Sequence, residues 1–97
     1  NGVDFATPST SGVQCVYDGE VVGVTYIPGF KNMVIIKHGN YYTVYSKLDD
    51  VSIEKGSKIK RGQSIGRIVP GDDGQAELHF ELWHDKTKLN PEPWFNR

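Results

Sequence analysis

Ala76-Glu77-Leu78-His79-Phe80-Glu81-Leu82-Trp83 alternates strictly between apolar and polar side chains until its last residue. Ala76, Leu78, Phe80 and Leu82 point one way, and Glu77, His79 and Glu81 point the other. A period of two is the pattern of a strand with one face on a core. The opposite face sets two carboxylates around one imidazole. Such a row is either a solvated surface or the floor of a site, and by pattern alone the solvated surface is the commoner outcome.

Upstream of this strand, short runs rich in Val, Ile, Thr and Tyr recur between glycine turns. Val13 to Tyr17 reads as a strand, Asp18-Gly19 as a hairpin turn and Glu20 to Ile27 as the return strand. Pro28-Gly29 breaks it. Asn32 to Lys37 is a buried strand, apolar on both faces at its centre. After His38-Gly39-Asn40, Tyr41 to Leu48 alternates, with Tyr41, Thr43, Tyr45 and Lys47 on one face. Val51-Ser52-Ile53 is a brief strand. Lys55-Gly56 and Arg61-Gly62 are tight turns, and Ser64 to Val69 is a strand. Ala6 to Gly12 and Pro70 to Gly74 read as loops. Asp85 to Lys88 turns the chain, Leu89 to Pro93 is irregular because of its prolines, and Trp94 and Phe95 are expected to tuck against the core. No segment holds a helical period, so the pattern predicts an all-β sandwich or barrel.

The 97 residues suffice for one small domain. Lys+Arg 11 against Asp+Glu 12 leaves a net charge of −1, with no basic stripe to suit nucleic acid. Lys55, Lys58, Lys60 and Arg61 cluster beside Glu54, as expected of a solvated loop edge. The single cysteine, Cys15, excludes an internal disulfide and a cysteine-based zinc site, and its strand-like setting predicts a buried thiol. No apolar run approaches the roughly 18 residues of a membrane span, and no signal peptide is seen. The chain opens at Asn1 rather than at methionine, so residues 1–97 are expected to be a single domain, the C-terminal piece of a longer protein.

Several separated pieces form one pattern. They are Asn1-Gly2-Val3-Asp4; Tyr17 to Val22; Asn32 to Gly39 with Thr43-Val44-Tyr45-Ser46-Lys47-Leu48; Lys55 to Gly66; and Leu78-His79-Phe80-Glu81 with Leu89-Asn90-Pro91. In this order and spacing the chain resembles the lysostaphin-type (LytM) zinc endopeptidases of bacterial cell walls. The resemblance implies a two-sheet antiparallel β-sandwich with a groove, of the LytM or duplicated hybrid motif type. Active members hold zinc with a His-x-x-x-Asp pair and the second His of a His-x-His, and two further histidines handle the attacking water.

By that resemblance Asp4 matches the zinc aspartate and His79 the second His of His-x-His. The first His of that motif is Glu77, and the histidine of the central strand is Lys47. The remaining zinc histidine would precede Asn1. A hydrolytic zinc site needs three protein ligands and an open position. Two ligands retain about half of the roughly 10–16 kcal/mol of a four-ligand site. An ammonium fixed about 5 Å from Zn²⁺ would oppose binding by at most roughly 6–7 kcal/mol at an effective dielectric near 20. Glu77 beside Lys47 is therefore expected to form a salt bridge across an emptied groove, with Asp4 and His79 as vestigial ligand positions and neither metal nor cofactor bound. The alternative keeps zinc, with Glu77 as general base and Lys47 on the oxyanion.

A metal-free LytM fold resembles the EnvC-type murein hydrolase activators. It implies a non-catalytic domain of the cell envelope or periplasm that binds and activates a cell-wall amidase. The partner-binding groove would be lined by Tyr45, Lys47, Glu77 and His79, with Tyr41, Phe30 and Trp83 as aromatic anchors. The other two readings are a passive peptidoglycan-binding module and a divergent zinc endopeptidase cutting crossbridges. His38 is expected to be structural and His84 a surface residue. A biotinyl or lipoyl carrier, suggested by the double turn of Lys55 to Gly66, lacks a lysine in a suitable hairpin.

Overall fold

The computed structural model describes residues 2–85 and 87–89. Among these residues ten strands follow in order: β1 Val3–Thr7, β2 Ser11–Gln14, β3 Gly19–Ile27, β4 Lys31–His38, β5 Tyr41–Leu48, β6 Asp50–Val51, β7 Lys58–Ile59, β8 Ser64–Ile68, β9 Ala76–His84 and β10 Thr87–Leu89. They form two antiparallel sheets. The larger has the order β1-β9-β5-β4-β3-β7, with β10 also on β9, and the smaller has the order β2-β8-β6. Among the described residues no helix is long and apolar enough to cross a membrane.

The core lies between the sheets. Val13, Ile65 and Ile68 come from the small sheet; Val21, Val34, Ile36, Tyr45, Ala76, Phe80 and Leu82 come from the large one. Leu78, the remaining apolar residue of the β9 alternation, packs half-buried against them. Full burial of each large aliphatic or aromatic side chain contributes roughly 1.5–3 kcal/mol. Tyr45 and Phe80 meet edge to face, with ring centroids 5.1 Å apart, a geometry worth about 0.5–1.5 kcal/mol beyond burial. The expected buried thiol is found: Cys15 is enclosed, and its Sγ–H donates to the Tyr17 carbonyl at 2.7 Å.

Tyr41–Leu48 and the Pro28-Gly29 break fall where the sequence predicts. So do the turns at Gly56 and Gly62, whose φ values of 93° and 83° lie in the left-handed region that glycine adopts freely. Other boundaries differ for reasons of pairing. Asp18-Gly19 is not a hairpin turn, because β2 belongs to the small sheet and β3 to the large one, so Cys15 to Asp18 crosses between sheets. Asp18 instead fastens neighbours: its Oδ1 accepts from the Arg61 N–H at 2.7 Å. The expected Ala6–Gly12 loop is shorter, since β1 pairs with β9 out to Thr7↔Ala76 and β2 begins at Ser11. The brief strand predicted at Val51–Ile53 is Asp50–Val51. Leu89, expected to be irregular, pairs with Leu82 in β10. The part of β9 beyond β1 offers an open edge there, and backbone groups on such an edge seek partners. Trp94 and Phe95 lie outside the described residues.

Candidate functional site

Antiparallel register places Asp4 opposite His79. Asp4 Oδ1 stands 2.6 Å from His79 Nδ1, and Glu81 Oε2 stands 2.8 Å from Nε2. Trp83 Nε1–H donates to Glu81 Oε1 at 2.9 Å. Residues 79, 81 and 83 alternate onto one face of β9, so a single strand carries the imidazole, the carboxylate that orients it and the indole that fixes that carboxylate. Burial opposes a charge on His79, but the hydrogen bonds to Asp4 and Glu81 outweigh it, and its pKa is raised above the ordinary histidine value.

Lys47 reaches this face by a backbone irregularity. Strict alternation would put it with Tyr45 on the core side. Instead Asn32 pairs with Leu48 and Val34 with Tyr45, so Met33 faces both Ser46 and Lys47. This is a β-bulge, and Lys47 takes φ 68° within it. Its N–H donates to the Phe30 carbonyl at 2.9 Å. The bulge turns the ammonium outward, where Nζ lies 3.1 Å from Glu77 Oε2. The salt bridge expected between these two residues is thus present in the geometry.

Tyr45, expected to line the groove, does not. It is 1% exposed and belongs to the core, where its hydroxyl accepts from the Val16 N–H at 3.3 Å. Burial raises its pKa well above the phenolic range. Tyr41 is corrected likewise: it lies in a different cleft, its ring 4.7 Å from that of His84. Phe30 is exposed in the β3–β4 turn that supports Lys47. Trp83 does line the open face. With Val22, Met33, Ile35, Tyr42 and Val44 it bounds a shallow, mainly apolar groove of about 480 Å³. Those aliphatic residues were not among the predicted site residues. The signal was the apolar run of β4 on both faces, which marks a strand covered on both sides.

Asp4 and His79 supply two donors of the kind that zinc takes, with Glu81 in the outer position that orients a ligating imidazole. Among the described residues no three His, Cys, Asp or Glu side chains cluster so as to hold a metal. The described set therefore does not fit a three-ligand hydrolytic centre. The other histidines play other parts. His38 Nδ1–H donates to the Asp18 carbonyl at 2.8 Å, and the Thr43 hydroxyl donates to its Nε2 at 2.8 Å. Its burial outweighs the hydrogen bond and charge of Asp18 and lowers its pKa. His84 sits at the surface, 3.9 Å from Asp85.

The profile of Peptidase family M23 matches residues 1–91. Peptidoglycan DD-endopeptidase ShyA of Vibrio cholerae is 42% identical over 86 residues, covering 84% of this chain and 20% of that protein. Murein hydrolase activator EnvC of Escherichia coli is 28% identical over 87 residues, covering 88% of this chain and 21% of that protein. The structure of Helicobacter pylori Csd3 superposes with a TM-score of 0.85 at 30% identity, over 96% of this chain and 26% of that one. The chain thus spans about a fifth to a quarter of the length of these relatives. With the two-sheet antiparallel fold and the Asp4–His79 pair in register, the match makes this chain a member of Peptidase family M23.

Proposed function

We propose that this domain is a non-catalytic member of its family that binds a cell-wall amidase and activates it. On this reading it works in the cell envelope, and its open sheet face is a protein-binding surface rather than a peptidase cleft. The observation that carries the proposal is the Lys47–Glu77 ion pair at 3.1 Å. Water activation in a zinc peptidase needs a base beside the metal, free to take a proton. Here a cation pairs with Glu77, the carboxylate that the family pattern sets in the place of a water-handling histidine. The apolar floor of Met33, Ile35, Val44 and Trp83 suits burial against a partner. Membership beside EnvC and NlpD, both murein hydrolase activators, supports the same reading.

The test is reconstitution of the domain, extended upstream of Asn1, with a purified cell-wall amidase on dye-labelled peptidoglycan. Dye release is expected to rise with the domain present. Reversing the pair as Lys47→Glu with Glu77→Lys, or placing Asp at Val44, is expected to abolish the rise. An amidase equally active with and without the domain would refute the proposal.

A second reading has its own support. The two Vibrio cholerae DD-endopeptidases are 42% and 40% identical to this chain, against 28% for EnvC. On that reading Asp4 and His79 would hold zinc with a ligand from outside the described residues, and Glu77 would act as base. Elemental analysis of the extended domain separates the two. Tight stoichiometric zinc with crossbridge cleavage that is lost in Glu77→Ala would establish the peptidase.

A further inference from the structure

A second concavity among the described residues is remote from Asp4 and His79. It is an open cleft of about 1070 Å³ at the opposite end of the large sheet, where β3 and β7 begin and β4 turns into β5. Tyr17 and Tyr41 give it ring walls, and Lys37, Lys58 and Arg61 bring cations to it from three separate segments. The Arg61 guanidinium lies over the Tyr17 ring, 5.8 Å from its centroid. Lys58 pairs with Glu20 only loosely, at 3.5 Å, and its side chain is 84% exposed. The cleft's two carboxylates are already engaged, Asp18 by the Arg61 N–H and Glu20 by Lys58. They keep spare acceptor capacity, since a carboxylate offers about four lone-pair sites.

These groups select a ligand. The cations call for an anionic group that they can meet with charge-assisted hydrogen bonds. The tyrosine walls call for a body with flat apolar faces. The carboxylates call for hydroxyl donors, and they repel a run of acidic residues or phosphates. A sugar chain bearing isolated carboxylates meets all three requirements, and an acidic peptide fails the third. We propose that this cleft is a second binding site, for a carboxylate-bearing glycan. One such polymer follows from the activator reading, on which only the source of the ligand rests. Hydrolysis of the amide between a wall sugar's lactyl group and its peptide adds water across the C–N bond. It leaves a carboxylate on the sugar and an amine on the released peptide. The site would then hold the domain on the product of the enzyme it serves.

The experiment is calorimetric titration of the domain with soluble glycan strands stripped of peptide, without amidase. Strands with carboxylates reduced to alcohols, and strands with peptides intact, serve as comparisons. Stripped strands are expected to bind saturably, and either comparison to bind at least about fivefold more weakly. The double variant Lys37→Gln with Arg61→Gln is expected to lose at least about fivefold in affinity, and Lys55→Gln, outside the cleft, to lose nothing. Equal binding of reduced strands, preference for peptide-bearing strands, no saturable binding, or an equal loss in Lys55→Gln would each overturn the proposal. Because no amidase is present, failure here leaves the activator reading standing, and failure of amidase activation leaves this site standing.

Discussion

Lys47 and Glu77 are neighbours because β5 carries one residue too many. The bulge at Ser46-Lys47 takes Lys47 off the core side and sets its ammonium 3.1 Å from the Glu77 carboxylate. The side chains are 32% and 44% exposed, so water screens the pair. Lys47→Ala and Glu77→Ala, singly and together, are expected to show a coupling of about 0.2–1 kcal/mol in urea unfolding. The pair shapes the site more than it stabilises the fold. A coupling above about 2 kcal/mol would show a much drier pair than this exposure allows.

The bulge makes a prediction of its own. Lys47 holds φ 68°, a conformation that costs an L-residue about 1 kcal/mol or more. Lys47→Gly is therefore expected to raise stability or leave it unchanged, despite losing the ion pair. Lys47→Val is expected to lower it by more than about 1 kcal/mol. Chemical denaturation of both variants gives the comparison.

Tyr45 supplies a test of the core. Tyr45→Phe keeps the ring on Phe80 and removes the acceptor for the Val16 N–H, at an expected cost of about 1 kcal/mol. Tyr45→Ala is expected to cost about 3–5 kcal/mol, as for other large aromatics removed from a core. If Tyr45→Ala weakened partner binding while leaving unfolding unchanged, its placement in the core would be wrong.

The His38 imidazole gives a pH dependence with a definite sign. Its pKa is lowered in the folded chain by burial, so the unfolded chain binds the proton more readily. The contribution of His38 to stability is complete above its unfolded pKa of about 6.5. It is lost as the pH falls through the lowered folded value, and levels off below that. Denaturation midpoints from pH 8 to 4, compared with those of His38→Gln, should differ by a term that shrinks on acidification. Titration of the His38 ring by NMR gives the folded value directly.

Cys15 is expected to resist a thiol reagent in the native state. It is 2% exposed, and burial raises its pKa. The thiolate is the reactive form, so both effects slow it. Labelling should become fast at the denaturant concentration that unfolds the domain.

Much of the fold was legible because its central strands follow simple rules. β5 and the apolar face of β9 alternate cleanly, and glycines mark the turns at 56 and 62. What escaped the sequence depends on distant partners. Asp18-Gly19 has hairpin composition, but whether two strands pair is settled by which sheet each joins, not by the residues between them. β10 exists because β1 covers only part of β9's edge. For the site, the Asp4–His79 meeting and the Lys47–Glu77 pair were expected from the family pattern. The alternation of Tyr45 with Thr43 points both inward, but the family motif sets Tyr45 beside Lys47 and so masks the burial of Tyr45. A bulge has no reliable sequence mark when the left-handed residue is lysine rather than glycine, so the split between those two residues was hidden.

The Asp4–His79 contact spans 75 positions of the chain. Among the described strands β1 is synthesised before the others, yet its partner in the sheet is β9, the ninth of the ten in chain order. Until β9 has emerged and docked on β5, Asp4 has no imidazole beside it. Closing so long a loop is entropically costly and kinetically late. A chain interrupted before residue 76 can pair β3, β4 and β5 and still lack every residue of the β9 row. Assembly of this face thus certifies that the domain has been synthesised through β9, and a partner that recognises it cannot engage a truncated chain.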